Sequence, residues 1–164
     1  MTHVRYIDKT RQYYLDQGYE KPYEWAHFDT VPFTRLSKPL ADCRLSLVST
    51  SDVAIKEDGG DGDHAKEMFV GNVYSIPTDI PIERLHSRQE HFDKHATHLD
   101  DVDSYFPISR LREAAADGTI GGVADRLHGV YTAYSQRRTL EVDGPEVLKR
   151  CREDGVDAVL LTPV

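Results

Sequence analysis

Apolar residues fall along this chain in blocks whose spacing changes from irregular to alternating to helical. In the first forty residues they are mostly aromatic: Tyr6, Tyr13, Tyr14, Tyr19, Tyr23, Trp25, Phe28 and Phe33, punctuated by Pro22, Pro32 and Pro39. The spacing predicts a helix over 5–16, closed by Gly18. The remainder reads as an extended arm, because each proline removes a backbone donor and blocks regular pairing. Arms of this kind wrap a core or a neighbouring subunit.

From Cys43 the pattern alternates and then becomes continuously apolar through Leu47 and Val48, which predicts a buried strand followed by the polar turn Ser49-Thr50-Ser51-Asp52. Gly59, Gly60 and Gly62 among charged residues mark 56–64 as a surface loop, and strand character resumes over 68–76 up to Pro77. Ile108, Leu111, Ala114 and Ala115 then share one helical face, with Pro107 suited to the first turn and Gly118 to a left-handed stop. The segment 119–124 predicts a short strand or turn. A further helix over 145–154, between Gly144 and Gly155, turns Val147, Leu148 and Cys151 inward, and Val156 to Leu161 reads as a fully apolar buried strand.

Helix, glycine, buried strand is half of a βαβ unit. The expected fold is therefore α/β: a mostly parallel sheet with flanking helices, half of a doubly wound domain, preceded by an irregular aromatic arm. The arm occupies 1–40 and the α/β domain 41–164, incomplete at its carboxyl end.

A length of 164 residues suits a single core, and 20 Lys and Arg against 28 Asp and Glu leave a net charge of −8, which repels a phosphate backbone. Nucleic acid is therefore not an expected partner. No apolar run approaches the 18 or so residues of a membrane span, so no membrane is expected either. The amino terminus lacks a signal-peptide pattern, and Cys43 and Cys151 lie more than a hundred positions apart. These features read as a cytoplasmic, reduced protein whose two cysteines are inert core residues.

The last strand delivers Thr162 to a carboxyl strand end, where open α/β sheets bind ligands. Ser49, Thr50 and Ser51 occupy the matching position after the first strand; hydroxyls and backbone donors there either hold a carboxylate or simply form a turn. Four of the eight histidines lie within 86–98, and on a helix His91, His95 and His98 would share a face able to hold zinc or iron. A solvated polar helix rich in histidine is the commoner arrangement, and no metal site is assigned. The acids around Gly59 fall at the wrong offsets for calcium, and no GxGxxG follows a strand.

From Trp25 onward the sequence resembles the amino-terminal half of the selenoprotein B family of glycine, sarcosine, betaine and D-proline reductases, its shorter members in particular. The resemblance is carried by Pro32-Phe33-Thr34, Lys38-Pro39-Leu40, Ser75-Ile76-Pro77-Thr78-Asp79, the acids Asp100 to Asp103, Phe106-Pro107-Ile108-Ser109-Arg110-Leu111-Arg112-Glu113 and Asp117-Gly118-Thr119-Ile120-Gly121. Its most specific stretch, with Phe106 to Glu113, is Asp154-Gly155-Val156-Asp157-Ala158-Val159-Leu160-Leu161-Thr162-Pro163-Val164.

The resemblance implies an oxidoreductase that reductively cleaves a small amine or amino-acid derivative. In that family the strand resembling 156–164 runs into a selenocysteine or cysteine with a second cysteine close behind. The implied catalytic residue is thus absent from this sequence, and selenocysteine, encoded by UGA, is expected immediately after Val164 in a longer product. The resemblance further implies that 86–98 overlies the substrate side of the sheet, with His86, Asp100 and Asp103 as polar lining beside Ser49, Thr50 and Thr162. Asp100, Asp101 and Asp103 would equally cap the helix near Pro107. Implied partners are other reductase subunits, one of which carries a carbonyl cofactor in the longer members, or a thioredoxin-like electron donor; an oligomer is also compatible. The competing readings are a noncatalytic α/β binding subunit and a small His-rich metal-binding protein.

Overall fold

A computed structural model describes residues 5–56, 73–89, 92, 94–131 and 135–163. The chain divides into two units, Met1–Thr34 and Arg35–Val164. In the first, α1 (Tyr6–Asp16) is followed by Gly18 at φ +86°, a left-handed conformation natural to glycine. No residue of α1 is buried. The order in this unit comes from aromatic stacking: Tyr14 lies 5.2 Å from both Tyr19 and Tyr23, ring centre to ring centre, and Tyr23 meets Trp25 edge-on at 4.7 Å.

The second unit is built around β1 (Arg44–Ser49). Along one side of β1 runs β7 (Ala158–Thr162), parallel and in register from Leu45 with Ala158 to Ser49 with Thr162. Along its other side β5 (Gly122–Val123) and β6 (Arg126–Gly129) follow one another, both parallel to β1. The break between them, at Ala124 and Asp125, is filled by Thr78, whose N–H donates to the Asp125 carbonyl at 2.9 Å and whose hydroxyl donates to that of Ala124 at 2.6 Å. Outside β6 lies β3 (Tyr74–Pro77), antiparallel. A second small sheet pairs β2 (Val53–Ile55) with β4 (Leu85–Ser87).

The helices follow the glycine and proline punctuation. In α2 (Ile108–Ala116), Ile108 and Leu111 are buried, each stabilising the packed state by roughly 1.5–3 kcal/mol. Gly118 (φ +78°) then reverses the chain. At its start the Asp103 carboxylate accepts from the Ser109 N–H at 2.9 Å, satisfying one of the helix's free donors. Before α3 (Gly144–Glu153) the chain makes a short turn at Gln136–Arg138 and a π-helical turn at Thr139–Asp143. The core between the sheets and α2 contains Leu47, Val53, Tyr74, Ile76, Phe106, Ile108 and Leu127. The α/β architecture with a mostly parallel sheet and flanking helices is what the chain forms.

Several expectations need correction. β7 is not buried: Val159, Leu160 and Leu161 are 39%, 41% and 68% exposed, because β1 pairs one edge of β7 and no described strand pairs the other. Leu148 does not turn inward with Cys151 but is about half exposed. β2, β4 and β6 carry no clear strand signal; β6 reads Arg-Leu-His-Gly and nevertheless stands inside the sheet. The expected loop at 56–64, beyond Lys56, and the strand residues before 73 lie outside the described residues.

Candidate functional site

Because β1, β6 and β7 are parallel, their carboxyl ends share one rim, with Ser49 level with both Gly129 and Thr162. Such a rim is where open α/β sheets place ligands. Here its hydroxyls are turned into the protein. The Tyr105 carbonyl accepts from Ser49 Oγ at 3.0 Å and from Thr162 Oγ1 at 3.1 Å, while Ser49 Oγ also lies 2.6 Å from Ser51 Oγ and accepts from the Ser51 N–H at 3.2 Å. A hydroxyl has one proton and two lone pairs, so Ser49, fully buried, is saturated by these contacts. The Thr50 N–H reaches the Thr162 carbonyl at 3.3 Å. Ser49, Thr50 and Thr162 are thus brought together, and they brace residue 105 against the ends of β1 and β7. The next residue but one, Asp52, has φ +54°, a left-handed conformation uncommon outside glycine, and its carbonyl accepts from the Arg88 N–H at 3.0 Å.

From this brace the Ser87 hydroxyl donates to the Ser51 carbonyl, and Ser87 also lines a cavity of about 580 Å³. Its walls include Lys56, His86, Phe92, Lys94, His98 and Asp100. Both Lys56 and Lys94 are wall residues; Lys94 lies 5.7 Å from the Phe92 ring centre and Lys56 donates to the Glu83 carbonyl at 3.3 Å. That chemistry suits a small carboxylate. His86, set in β4 opposite Ala54, and Asp100 belong to this cavity, whereas Asp103 is committed to the cap of α2 and to Arg110 at 3.6 Å. Asp100 is itself faced by His98 Nδ1 at 3.3 Å.

The histidine-rich segment is not helical where it is described: residues 94–96 form a turn and 97–98 have no regular structure. His91 lies outside the described residues. Among those described, no three His, Cys, Asp or Glu side chains are grouped to hold a metal ion. Cys43 and Cys151 are free and buried; burial pushes the Cys151 thiol up, away from the reactive thiolate.

A buried polar chain escaped sequence reasoning altogether. His128 on β6 is wholly enclosed and lies opposite Ser75 on β3, with Nδ1 3.0 Å from Ser75 Oγ. Arg150 donates to the same oxygen at 3.0 Å and to Glu146 at 2.7 Å. Arginine only donates, which leaves the Ser75 proton for His128 Nδ1 and the ring's own proton on Nε2, 3.8 Å from Asp154. Burial first, then the nearby Arg126 and Arg150, lowers the His128 pKa to about 4. It is a neutral imidazole near pH 7. The signal that could have found it is the polar triplet around Leu127, but a lone histidine in a polar stretch has no period to reveal it.

Among known proteins, the chain is 29% identical over 134 residues to the D-proline reductase subunit gamma of Acetoanaerobium sticklandii. The alignment covers 79% of this chain and 52% of that protein, so the chain spans about half the length of the curated relative it matches. It is similar to a reductase subunit. Comparison with protein families and with solved structures gives no match. Among the described residues no helix is long and apolar enough to cross a membrane.

Proposed function

We propose that this chain is part of a reductase that cleaves a carbon–nitrogen bond in a small amino-acid derivative, a cyclic one such as D-proline included. The observation that carries the reading is the similarity to a D-proline reductase subunit along four-fifths of the chain. The rim of parallel strand ends, with a cationic cavity reached through Ser87, supports it. In this reading Lys56 and Lys94 draw the substrate carboxylate into the cavity, His86 and Asp100 line it, and Ser49, Thr50 and Thr162 hold the rim in place.

The nucleophile is a selenolate or low-pKa thiolate positioned beyond β7, since neither buried cysteine is suited to the task. It attacks the carbon that bears nitrogen; the carbon–nitrogen bond breaks, its electron pair stays with nitrogen, and the amine leaves with a proton. A neighbouring thiolate then attacks the chalcogen, the carbon fragment departs with a second proton, and an external dithiol reduces the mixed bond while becoming a disulfide. Two electrons and two protons are consumed in all. The open edge of β7 suits a further polypeptide segment or reductase subunit that brings this group to the rim.

The test is to isolate the protein with its associated chains from its source cells, alkylate with iodoacetamide near pH 6, and map the labelled peptides. The reading expects a labelled selenocysteine or cysteine other than Cys43 and Cys151, together with dithiol-dependent opening of D-proline or release of amine from a related compound, abolished by the label. No alkylated group and no reduction of any such compound would reject it in favour of a noncatalytic binding subunit.

A further inference from the structure

The last helix is fastened to the sheet mainly by polar groups. α3 buries one residue, Cys151, and its 10 residues fall short of the roughly 12–15 at which an isolated helix begins to hold in water. Arg150 ties it to β3 by donating to Ser75 Oγ at 3.0 Å. Where the helix ends, the Asp154 and Glu153 carboxylates take Arg126 of β6 at 2.8 and 3.2 Å.

His128 stands behind this fastening. It is fully enclosed, its Nδ1 takes the Ser75 proton, and its Nε2 has no hydrogen-bond partner among the described residues. Its sheet neighbours, Val48 of β1 and Ser75 of β3, carry no charge. The charged groups that act on it are Arg126 on its own strand and Glu146, Arg150 and Asp154 from α3 and its end. Both carboxylates are already engaged, Glu146 by Arg150 at 2.7 Å and Asp154 by Arg126, and Asp154 stays 3.8 Å from Nε2. A proton on His128 therefore meets two guanidinium groups and no uncommitted acid. It also turns Nδ1 into a donor aimed at the oxygen that already accepts from Arg150, and the serine proton loses its acceptor.

We propose that Ser75, His128 and Arg150 form a pH-sensitive latch: neutral His128 fastens α3 to β3 and β6, and a proton on His128 releases the helix while the sheet stays folded. Release admits water to the imidazolium and withdraws Arg150 from it, removing burial and repulsion together. α3 runs through Gly155 into β7, which carries Thr162, so the latch holds the segment that leads to the rim. In the latched state the His128 pKa is lowered to about 4, and after release it returns toward the ordinary value of about 6.5. The latch is fully closed above about pH 6.5, and below that release becomes about tenfold easier for each pH unit. No ligand or redox group takes part, so the latch stands or falls separately from the reductase reading.

The experiment is hydrogen–deuterium exchange of the full chain between about pH 7.5 and about pH 5, with and without low urea. The protection factor of 146–153 is expected to fall about tenfold per pH unit below about pH 6.5, through an opening insensitive to urea because little surface is exposed. Residues 44–49 of β1 should stay more protected at every pH and open in a urea-sensitive way. His128→Asn should remove the pH slope in 146–153. Should that variant fail to fold, Arg150→Ala should lower the protection of 146–153 at about pH 7.5 by about tenfold or more and leave 44–49 unchanged. A flat protection factor across the range, or 146–153 and 44–49 opening together with one urea dependence, would overturn the latch. So would a slope retained in a folded His128→Asn protein, or unchanged protection in a folded Arg150→Ala protein.

Discussion

The two flanks of β1 have fates opposite to what their sequences suggest: β7, the more apolar strand, is the open one. On one side Ile76 of β3 and Leu127 of β6 are completely enclosed; on the other, Val159, Leu160 and Leu161 of β7 are substantially open. The difference lies in what stands beyond each strand. β6 is held between β1 and β3, and Tyr74 is further fixed by the Val53 N–H, which donates to its hydroxyl at 2.8 Å. Burial drives the Tyr74 phenol well above its ordinary pKa, in keeping with a group that has left water. β7 has β1 on one edge and nothing described on the other. Hydrophobicity states that a strand is able to be buried; the next layer decides whether it is.

Substitutions on the two flanks can break this contrast or sharpen it. The largest effect is expected at Gly129, where a Cβ would run into the ring of the fully buried Tyr74. Gly129→Ala should abolish the cooperative unfolding transition, and a folded variant of normal stability would show that the ring has room to move. Next, Ile76→Ala and Leu127→Ala should each cost about 2–5 kcal/mol in urea denaturation. Leu161→Ala on the open flank should cost less than ~1 kcal/mol, and equal losses on both flanks would mean that β7 is covered in solution.

Acid should weaken the enclosed flank through His128. Its folded pKa, about 4, lies below the usual histidine value, so between roughly pH 6.5 and 4 the unfolded chain binds a proton that the folded chain does not. Stability is complete above about pH 6.5 and declines as pH falls toward 4, by on the order of 2–3 kcal/mol. His128→Asn should flatten that part of the denaturation-versus-pH curve; an unchanged slope would place the acid sensitivity elsewhere. The smallest effect is expected for Val159→Lys with Leu161→Lys, within about ±0.5 kcal/mol of the parent while reducing self-association in sedimentation, since charge on an open edge discourages pairing. A large loss would again reveal a cover over β7.

The helices and β1 were legible because their signals are local. Gly18, Gly118 and Gly155 sit in left-handed conformations just after α1, α2 and α3, where the sequence pattern set the stops. Leu47 and Val48 mark a strand that needs both faces covered. The short strands were not legible, since β4 and β6 draw their strand character from partners, Ala54 for His86 and Ser75 for His128. The candidate site shows the same limit. Ser49, Thr50 and Thr162 were recognisable as strand-end residues, but nothing in their order shows that the Tyr105 carbonyl takes up two of their hydroxyls. Asp103 read equally as lining or cap, and the Ser109 N–H commits it to the cap.

By itself, then, the sequence determined the class of fold, the punctuation of its helices and the central strand, all of which depend on residue type and near spacing, and it carried a resemblance to amino-acid reductases. Only the tertiary structure decided which strand is enclosed, which hydroxyls face inward, and that a buried, neutral His128 stands between β3 and α3. Burial and hydrogen-bond satisfaction are properties of groups far apart in the chain, and no local pattern encodes what will stand opposite them once the sheet has closed.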